Sequence, residues 1–197
     1  MSKDIWVISD LHYNHANILN FIDYKGNRTR EFDTVDQMNE FLIDRWNSVV
    51  KPGDIVYTLG DTFFGSKDEF KIAWPKFNGS KRLIVGNHDD IQFLSSGGFF
   101  KKTLFWRMFT DHGLVFHHVP LHPSSLFRGK NIDTPMFQVH GHTHTMGSPK
   151  MGPYTSVCVE MRNYTPVNIE DLALDAKNYR EKQWPIDRLL FESIGMI

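Results

Sequence analysis

The stretch Val139-His140-Gly141-His142-Thr143-His144 is an apolar run that ends in a glycine and two alternating histidines. In an extended segment, residues i and i+2 project to the same side, so His142 and His144 can point at one position just beyond the strand. Histidine is the commonest metal ligand near neutral pH. On its own the H-x-H spacing is a weak signal, because two histidines at a strand end are more often just solvated. Whether this spacing marks a metal site depends on which polar residues follow the other predicted strands.

Four other places in the chain repeat this arrangement of an apolar run followed by polar residues. The runs are short and rich in β-branched and aromatic residues, which predicts buried strands. They cover residues 5–9, 55–59, 83–85 and 114–116, and they lead into Asp10-Leu11-His12, Gly60-Asp61, Gly86-Asn87-His88-Asp89 and His117-His118. Ligands bind beyond the carboxyl ends of strands in open α/β sheets. Five strand ends that carry Asp, Asn or His therefore predict one shared site.

Strand and helix patterns alternate along the chain, which predicts an α/β or mixed α+β fold. A helix is expected from residue 16 onward, with Asn14 as its N-cap and Ile18, Leu19 and Ile22 facing inward. Further helices are predicted at residues 35–50, capped by Thr34, and at residues 67–74, 170–182 and 186–192, the last two interrupted by Pro185.

Two other segments read as strands. Residues 99–109 are apolar on both faces, which predicts a strand that is covered on both sides. Residues 155–161 predict the strand that closes the sheet. Strands buried on both faces favour sheets that lie between helical layers.

Composition favours one soluble domain that spans residues 1–197. Of the 197 residues, 41% are hydrophobic and 23% are charged, which is ordinary for a globular protein. The formal net charge of −1 argues against a large basic surface that binds duplex nucleic acid, although it is compatible with a local basic groove. No apolar run approaches the length that spans a membrane, so we expect no membrane association.

The chain has a single cysteine, Cys158, which lies in an apolar run. One cysteine cannot form an internal disulfide, and this favours a reducing, cytoplasmic location. We expect Cys158 to be a small buried side chain rather than a catalytic nucleophile.

The polar residues at the strand ends form a set of metal ligands that is too large for one tetrahedral ion. Its mixture of oxygen and nitrogen donors suits Mn²⁺, Fe, Zn²⁺ or Ni²⁺, and two ions that share one carboxylate would use it well. A pair of ions stabilises both the attacking and the leaving oxygen of an in-line displacement. The expected ligands are Asp10, His12, Asp61, Asn87, His118, His142 and His144.

Three further histidines need separate treatment. His88 follows Asn87 directly, so it is better placed to donate a proton to a leaving oxygen than to bind the same ion. His117 and His118 are adjacent and face opposite ways in a strand, so we expect one of them to reach the site. His15, at a predicted helix start, could face an anionic substrate or simply cap the helix.

The order of these motifs resembles that of the calcineurin-like metallophosphoesterases. The family pattern D-x-H, G-D, G-N-H-[DE], a lone His and G-H-x-H matches Asp10-Leu11-His12, Gly60-Asp61, Gly86-Asn87-His88-Asp89, His118 and Gly141-His142-Thr143-His144. The resemblance extends over about residues 5–166, and residues 163–167 are similar to those of small stand-alone bacterial and phage members. It implies a four-layer αββα sandwich, in which two mixed sheets lie between helices.

The resemblance also implies how the site works. One ion would be held by Asp10, His12, Asp61 and His144, and a second by Asp61, Asn87, His118 and His142, with Mn²⁺ the favoured metal. A hydroxide that bridges the ions would attack phosphorus, and His88 would assist departure of the alcohol. His118 is preferred over His117 because His118-Val119-Pro120 matches the H-x-P of the family.

The expected substrate is a small phosphoester, such as a phosphodiester or a nucleotide, since the protein is small and nearly neutral. Nucleic-acid ends are an alternative, with Arg28, Arg30, Arg128 and Lys130 as candidate phosphate contacts. A phosphoprotein phosphatase and a non-catalytic scaffold that keeps the fold are the remaining alternatives.

Overall fold

A computed structural model describes residues 3–127 and 134–195 of the chain. The strands are β1 Ile5–Ile8, β2 Ile55–Thr58, β3 Ser80–Ile84, β4 Thr103–Leu104, β5 Trp106–Phe109, β6 Leu114–His117, β7 Phe137–His140, β8 Tyr154–Ser156 and β9 Val167–Asn168. The first sheet has the strand order β4-β3-β2-β1-β9 and the second has the order β5-β6-β7-β8.

The helices are α1 Val35–Asn47, α2 Lys67–Ala73, α3 Ile91–Ser96, α4 Ile169–Asn178 and α5 Trp184–Ser193. Shorter 3₁₀ segments cover Ala16–Asn20, Trp74–Lys76, Pro123–Leu126, His144–Met146 and Val159–Arg162, and a π-helical turn, Tyr179–Gln183, joins α4 to α5. Thr34 caps α1 as predicted, because its side-chain oxygen accepts a hydrogen bond from the backbone N–H of Gln37 at 3.1 Å.

Both sheets are mixed, and each has an antiparallel strand at one edge. Strands β1 to β4 are parallel and β9 runs antiparallel to β1, while β6 to β8 are parallel and β5 runs antiparallel to β6. The carboxyl ends of the parallel strands in one sheet lie at one edge. The predicted α/β class, with two mixed sheets and flanking helices, is confirmed.

The hydrophobic core forms separate layers on the two sides of the first sheet. Helices α1, α2 and α3 cover its outer face through buried residues that include Leu42, Trp46, Phe70 and Leu94. Between the sheets, Val7 and Tyr57 from the first sheet pack with Phe116 and Val139 from the second, and Leu172 of α4 joins them. A smaller cluster lies on the other face of the second sheet and contains Val115, Leu126, Met136 and Tyr154.

Two predicted elements near the ends of the chain differ from the structure. The segment after residue 16 is one 3₁₀ turn, in which Ile18 and Leu19 are buried but Ile22 is 66% exposed. Asn14 does not cap this turn, because the N-cap position is His15 and the side-chain oxygen of Asn14 accepts a hydrogen bond from Nδ2 of Asn39 at 3.4 Å. Pro185 does not interrupt the C-terminal helices, since it lies in the first turn of α5, where a missing N–H leaves no intrahelical bond unmade.

The predicted strands at residues 99–109 and 155–161 are also wrong in part. The first is two short strands, β4 and β5, that belong to different sheets, and the side chains where the chain crosses are exposed, 66% for Phe105 and 55% for Trp106. The second ends at Ser156 and continues as a 3₁₀ turn. Cys158, which lies between them, is fully buried as predicted. No helix in the described residues is long and apolar enough to cross a bilayer.

Candidate metal centre

The two sheets are joined just beyond the carboxyl end of β1. Ser9 and Cys158 form an isolated parallel bridge, in which the N–H of Ser9 donates to Val157 O at 3.0 Å and the N–H of Val159 donates to Ser9 O at 3.2 Å. Since strands from both sheets end near this bridge, the loops that follow β1, β2, β3, β6 and β7 converge on one place.

The first group of candidate ligands contains Asp10, His12 and His144. One ligand atom from each lies within 4.8 Å of the others. Nε2 of His12 is 3.8 Å from Asp10 Oδ1, and Nε2 of His144 is 3.7 Å from the same oxygen. These separations are too long for hydrogen bonds. They suit donor atoms that surround one cation at about 2 Å each.

The second group contains Asp61, His118 and His142, whose ligand atoms meet the same distance limit. Asn87 belongs with them, because its Oδ1 lies 2.9 Å from Nε2 of His118 and 2.9 Å from Nδ1 of His142. Asp61 also faces the first group, since its Oδ2 is 3.8 Å from Nε2 of His12. The structure thus brings all seven predicted ligands together, with Asp61 between the two groups.

The structure separates His117, the last residue of β6, from His118, which directly follows it. His118 is buried and lies 3.4 Å from Asp61 Oδ2. His117 instead turns its Nδ1 toward the backbone of Val119. The sequence preference for His118 as the ligand is therefore consistent with the geometry.

The remaining predicted site residues lie beside the two groups. The ring of His88 is exposed and its centroid is 6.1 Å from that of His12. The ring of His15 stacks on Phe64 at 4.0 Å, and its Nδ1 is 3.2 Å from Nδ1 of His12. Burial, followed by the charge of His12, lowers the pKa of His15 to about 4. His15 is therefore uncharged at neutral pH, so its ring can take part in a hydrogen bond but supplies no positive charge.

The backbone is strained at most of the candidate ligands. Five of the seven have positive φ angles, a region that costs a residue other than glycine about 1–3 kcal/mol. They are Asp10 (57°), His12 (46°), Asp61 (52°), His142 (69°) and His144 (44°). Strain of this kind persists where surrounding structure enforces it, and it concentrates at functional sites.

Gly141 and Gly86 allow the loops of the site to approach one another closely. A Cβ atom on Gly141 would overlap Oγ of Ser9 and the carboxylate of Asp10, and one on Gly86 would overlap the carboxylate of Asp61. The glycines in the G-H-x-H and G-N-H motifs are thus required by packing against aspartates from other strands.

The two oxygens of Asp10 have different surroundings. Oδ2 accepts hydrogen bonds from Ser9 Oγ at 2.6 Å, the N–H of His142 at 2.8 Å and Cys158 Sγ at 3.3 Å. Oδ1 is buried and has no hydrogen-bond partner among the described residues, and the same is true of Nε2 of His12. Buried polar atoms are nearly always satisfied. Two orphaned atoms that face each other at 3.8 Å fit a bound cation.

The charges at the site favour ionised carboxylates. Burial alone would raise the pKa of Asp10, but the neighbouring His12 and His144 outweigh it, so this pKa lies well below its usual range. Burial likewise opposes the charge on His118, yet Asp61 and Asp10 raise the pKa of His118 to about 9. A metal ligand must be neutral imidazole, so cation binding here would release a proton.

Arg30 does not have the role that the sequence predicted. It was expected among the phosphate contacts, but it is fully buried. Its guanidinium donates to the carbonyl oxygens of Asp10 at 2.6 Å and Leu11 at 2.7 Å, and to Glu160 Oε1 at 2.8 Å. Of the other predicted contacts, Arg28 is exposed, and Arg128 and Lys130 lie outside the described residues.

Glu160 is a site residue that the sequence reasoning missed. Its Oε1 accepts a hydrogen bond from Nδ1 of His144 at 3.0 Å, which leaves Nε2 of that histidine directed at Asp10. A carboxylate that binds the second ring nitrogen of a metal-binding histidine fixes its tautomer and orientation. The sequence feature that could have indicated this role is an acidic residue, Glu160, within the apolar run around Cys158.

Asp89 holds two of the site loops together. Its carboxylate accepts hydrogen bonds from the N–H groups of Gly86 at 2.8 Å, Thr62 at 3.0 Å and Asp61 at 3.2 Å. The turn after β3 is thereby held against the turn after β2, which keeps Asn87 close to Asp61.

Two mixed sheets whose strand ends bring aspartates and histidines into two adjacent groups define an α/β protein with a candidate two-metal centre. The chain is similar to the uncharacterized protein MJ1445 of Methanocaldococcus jannaschii, at 34% identity over 177 residues that cover 85% of this chain and 88% of the archaeal one. The chain belongs to the family of this archaeal protein. No protein-family model matches it.

Two further similarities extend to a phage and to a solved structure. The gene 66 protein of Mycobacterium phage L5 is 29% identical over 160 residues, which cover 78% of this chain and 67% of the phage protein. A crystal structure of AQ665 from Aquifex aeolicus, a protein of unknown function, superimposes with a TM-score of 0.60 at 23% identity. That match covers 87% of this chain and 98% of the other, and it shows a shared fold.

The close approach at Gly141 leads to a first prediction. Gly141→Ala should destabilise the protein by about 1–3 kcal/mol, because the added methyl displaces Ser9 and Asp10, and it should abolish cation binding by the first group. Urea unfolding and isothermal titration with Mn²⁺ measure the two effects. Gly53→Ala is the matched control, since nothing lies within 4 Å of a Cβ built there. Wild-type titration behaviour in Gly141→Ala would contradict this account of the loop.

The Glu160–His144 hydrogen bond leads to a second prediction. Glu160→Gln should weaken cation binding by the first group about 10–100-fold, the usual effect of losing such a carboxylate. The second group should keep its affinity, so a two-site titration curve should change in one phase. Glu170→Gln, at an exposed glutamate that contacts His112, serves as the control. Equal weakening of both phases would argue that Glu160 acts on the whole fold.

Proposed function

We propose that this protein is a metal-dependent phosphoesterase that uses two divalent cations and is related to the calcineurin-like metallophosphoesterases. The observation that carries the proposal is the pair of ligand groups that share Asp61, together with the orphaned buried atoms of Asp10 and His12. The order of the sequence motifs supports the same family.

The residues present fit two cations in the way that the family resemblance implies. Asp10, His12, Asp61 and His144 would hold one ion, and Asp61, Asn87, His118 and His142 the other. Mixed oxygen and nitrogen donors favour Mn²⁺, with Fe, Zn²⁺ and Ni²⁺ as alternatives. When bound, such ions supply an activated water nucleophile and neutralise charge on the phosphoryl oxygens.

The protein's own groups set the charge of the site. The carboxylates of Asp10 and Asp61 carry two negative charges, and Asn87 adds an oxygen donor without a third. Two divalent cations would therefore leave a positive site for an anionic ester. Arg30 holds the backbone of Asp10 and Leu11 in place beneath it.

His88 is the residue proposed to protonate the leaving oxygen. Its backbone N–H donates to Asp61 Oδ1 at 2.9 Å, which fixes the turn at the edge of the second group. Its ring lies against Phe64, with 5.5 Å between centroids, and remains exposed toward solvent. An imidazole in this position can give a proton to an alkoxide and recover it from water.

The favoured substrate is a small phosphodiester or nucleotide, and the favoured location is the cytoplasm. The burial of Arg30 removes one of the four basic residues proposed to contact nucleic acid. This makes a nuclease less well supported than a small-ester hydrolase. A non-catalytic scaffold would keep the fold without turnover, and direct measurement separates the two.

The sharing of Asp61 leads to a third prediction. Asp61→Asn should lose both metal and activity, because the substitution removes the charge that faces both groups. Metal content is measured by elemental analysis. Turnover is measured with Mn²⁺ on an aryl phosphodiester, an aryl phosphomonoester, cyclic nucleotides and single-stranded DNA. Chelation should abolish wild-type turnover. A folded wild-type protein that binds none of Mn²⁺, Fe, Zn²⁺ or Ni²⁺ would overturn the proposal.

The position of His88 leads to a fourth prediction. His88→Ala should lower kcat about 10²–10⁴-fold on esters with poor leaving groups. It should retain metal and lose much less activity on an aryl ester, whose leaving group needs no proton. His117→Ala is the matched histidine control. Full activity of His88→Ala on a poor leaving group would show that its role is not that of an acid.

A further inference from the structure

A cleft of about 640 Å³ opens beside the first ligand group, a volume typical of a site for a small organic molecule. Glu160 and Thr145 form the end of the cleft nearest the site. The hydrogen bond from His144 to Glu160 connects this end directly to the candidate metal ligands. A phosphoester held at the two groups could therefore extend one of its ester groups into the cleft.

Three aromatic rings form one wall of the cleft. Phe32, Phe41 and Tyr164 contact one another with centroids 5.4 Å apart in each pair. Phe41 is 36% exposed, so part of its ring is open to a ligand. Tyr164 has a φ of 58°, which is rare for a bulky residue.

The rest of the lining is rich in carboxylates. Glu31, Glu40 and Asp44 are exposed along the cleft, and within residues 3–127 and 134–195 none of them has a lysine or arginine within ion-pair distance. Arg28 is the single basic residue among the described residues that line it, and the guanidinium groups of Arg45 and Arg30 lie 6.0 Å and 5.9 Å from the ring centroids of Phe41 and Tyr164. The carboxylates still outnumber the basic groups at the cleft, although the site beside it would be positive when metal is bound.

Glu160 supplies an independent indication of a ligand. Its side chain is 3% exposed, and Oε1 is engaged by Arg30 and His144. Oε2 is buried and accepts no hydrogen bond from any described residue. A buried carboxylate oxygen without a donor is costly. At the inner end of a cleft, the negative charge of this carboxylate favours a positively charged group of a bound molecule.

We propose that the cleft binds a positively charged amine carried by one ester group of the substrate. This inference rests on the proposed function, and it narrows the substrate class to phosphoesters of amino alcohols. Aromatic rings attract ammonium groups through their faces, and unpaired carboxylates complement the charge. The same carboxylates would repel a further phosphate, which disfavours nucleic acids and nucleoside polyphosphates.

Two esters that differ in one atom test the inference. p-Nitrophenyl phosphocholine carries a quaternary nitrogen, and p-nitrophenyl 3,3-dimethylbutyl phosphate has carbon in its place. With the Mn²⁺-loaded protein, kcat/KM should be about tenfold higher for the choline ester, as expected for a cation over aromatic rings. The double variant E40Q/D44N, and separately Phe41→Leu, should reduce this ratio to about threefold or less. Asp68→Asn, an exposed carboxylate on α2 outside the cleft, should leave the ratio unchanged.

The outcomes separate this inference from the proposed function. Equal kcat/KM for the two esters, or a preference for the dimethylbutyl ester, would overturn the amine site. The proposed phosphoesterase function would be unaffected by that result. If neither ester is hydrolysed, isothermal titration with phosphocholine and 3,3-dimethylbutyl phosphate makes the same comparison without turnover. Tighter binding of phosphocholine would then support the amine site while the proposed catalysis fails, and equal binding would overturn the amine site.

Discussion

The carboxylate of Asp10, buried where the two sheets meet, is the group on which the rest of the site depends. A buried charge is tolerated only when its surroundings satisfy it. Oδ2 takes donors from Ser9, from the loop after β7 and from Cys158, so both sheets contribute to holding it. The result is a rigid acid with one oxygen fully engaged and the other open to the first ligand group.

Around Asp10, several candidate ligands have strained backbone conformations, and the loops that carry them approach one another closely. Five left-handed ligand residues follow strand ends, and glycines face aspartates from other loops at distances that exclude a side chain. Asp89 and Arg30 offset this cost by binding backbone groups of the same loops. Stability and site geometry are therefore coupled, because the residues that fix the loops are the same residues that set the positions of the ligands.

Much of the fold and the position of the site could be predicted from the sequence, because strand runs and the polar residues after them are local patterns. The seven expected ligands meet at one edge for this reason. Contacts between distant segments could not be read in this way. Arg30 looked like a surface base, yet it pairs with Glu160, 130 residues away. Likewise, composition alone did not reveal that residues 99–109 leave one sheet and enter the other, since an exposed Phe105 reads as a core residue.

The pairing of β1 with β9 has a consequence for how the protein is made. The first strand of the chain is flanked by β2 on one side and by Val167–Asn168 on the other, and Ser9 bonds to residues near 158. Contacts of such long sequence separation form slowly and late. During synthesis, Asp10 leaves the ribosome long before Cys158 and β9 do. The contacts that bury the Asp10 carboxylate therefore cannot form until most of the polypeptide has emerged. A truncated chain that lacks β9 would therefore leave the edge of β1 unpaired and would not form either ligand group in its native surroundings.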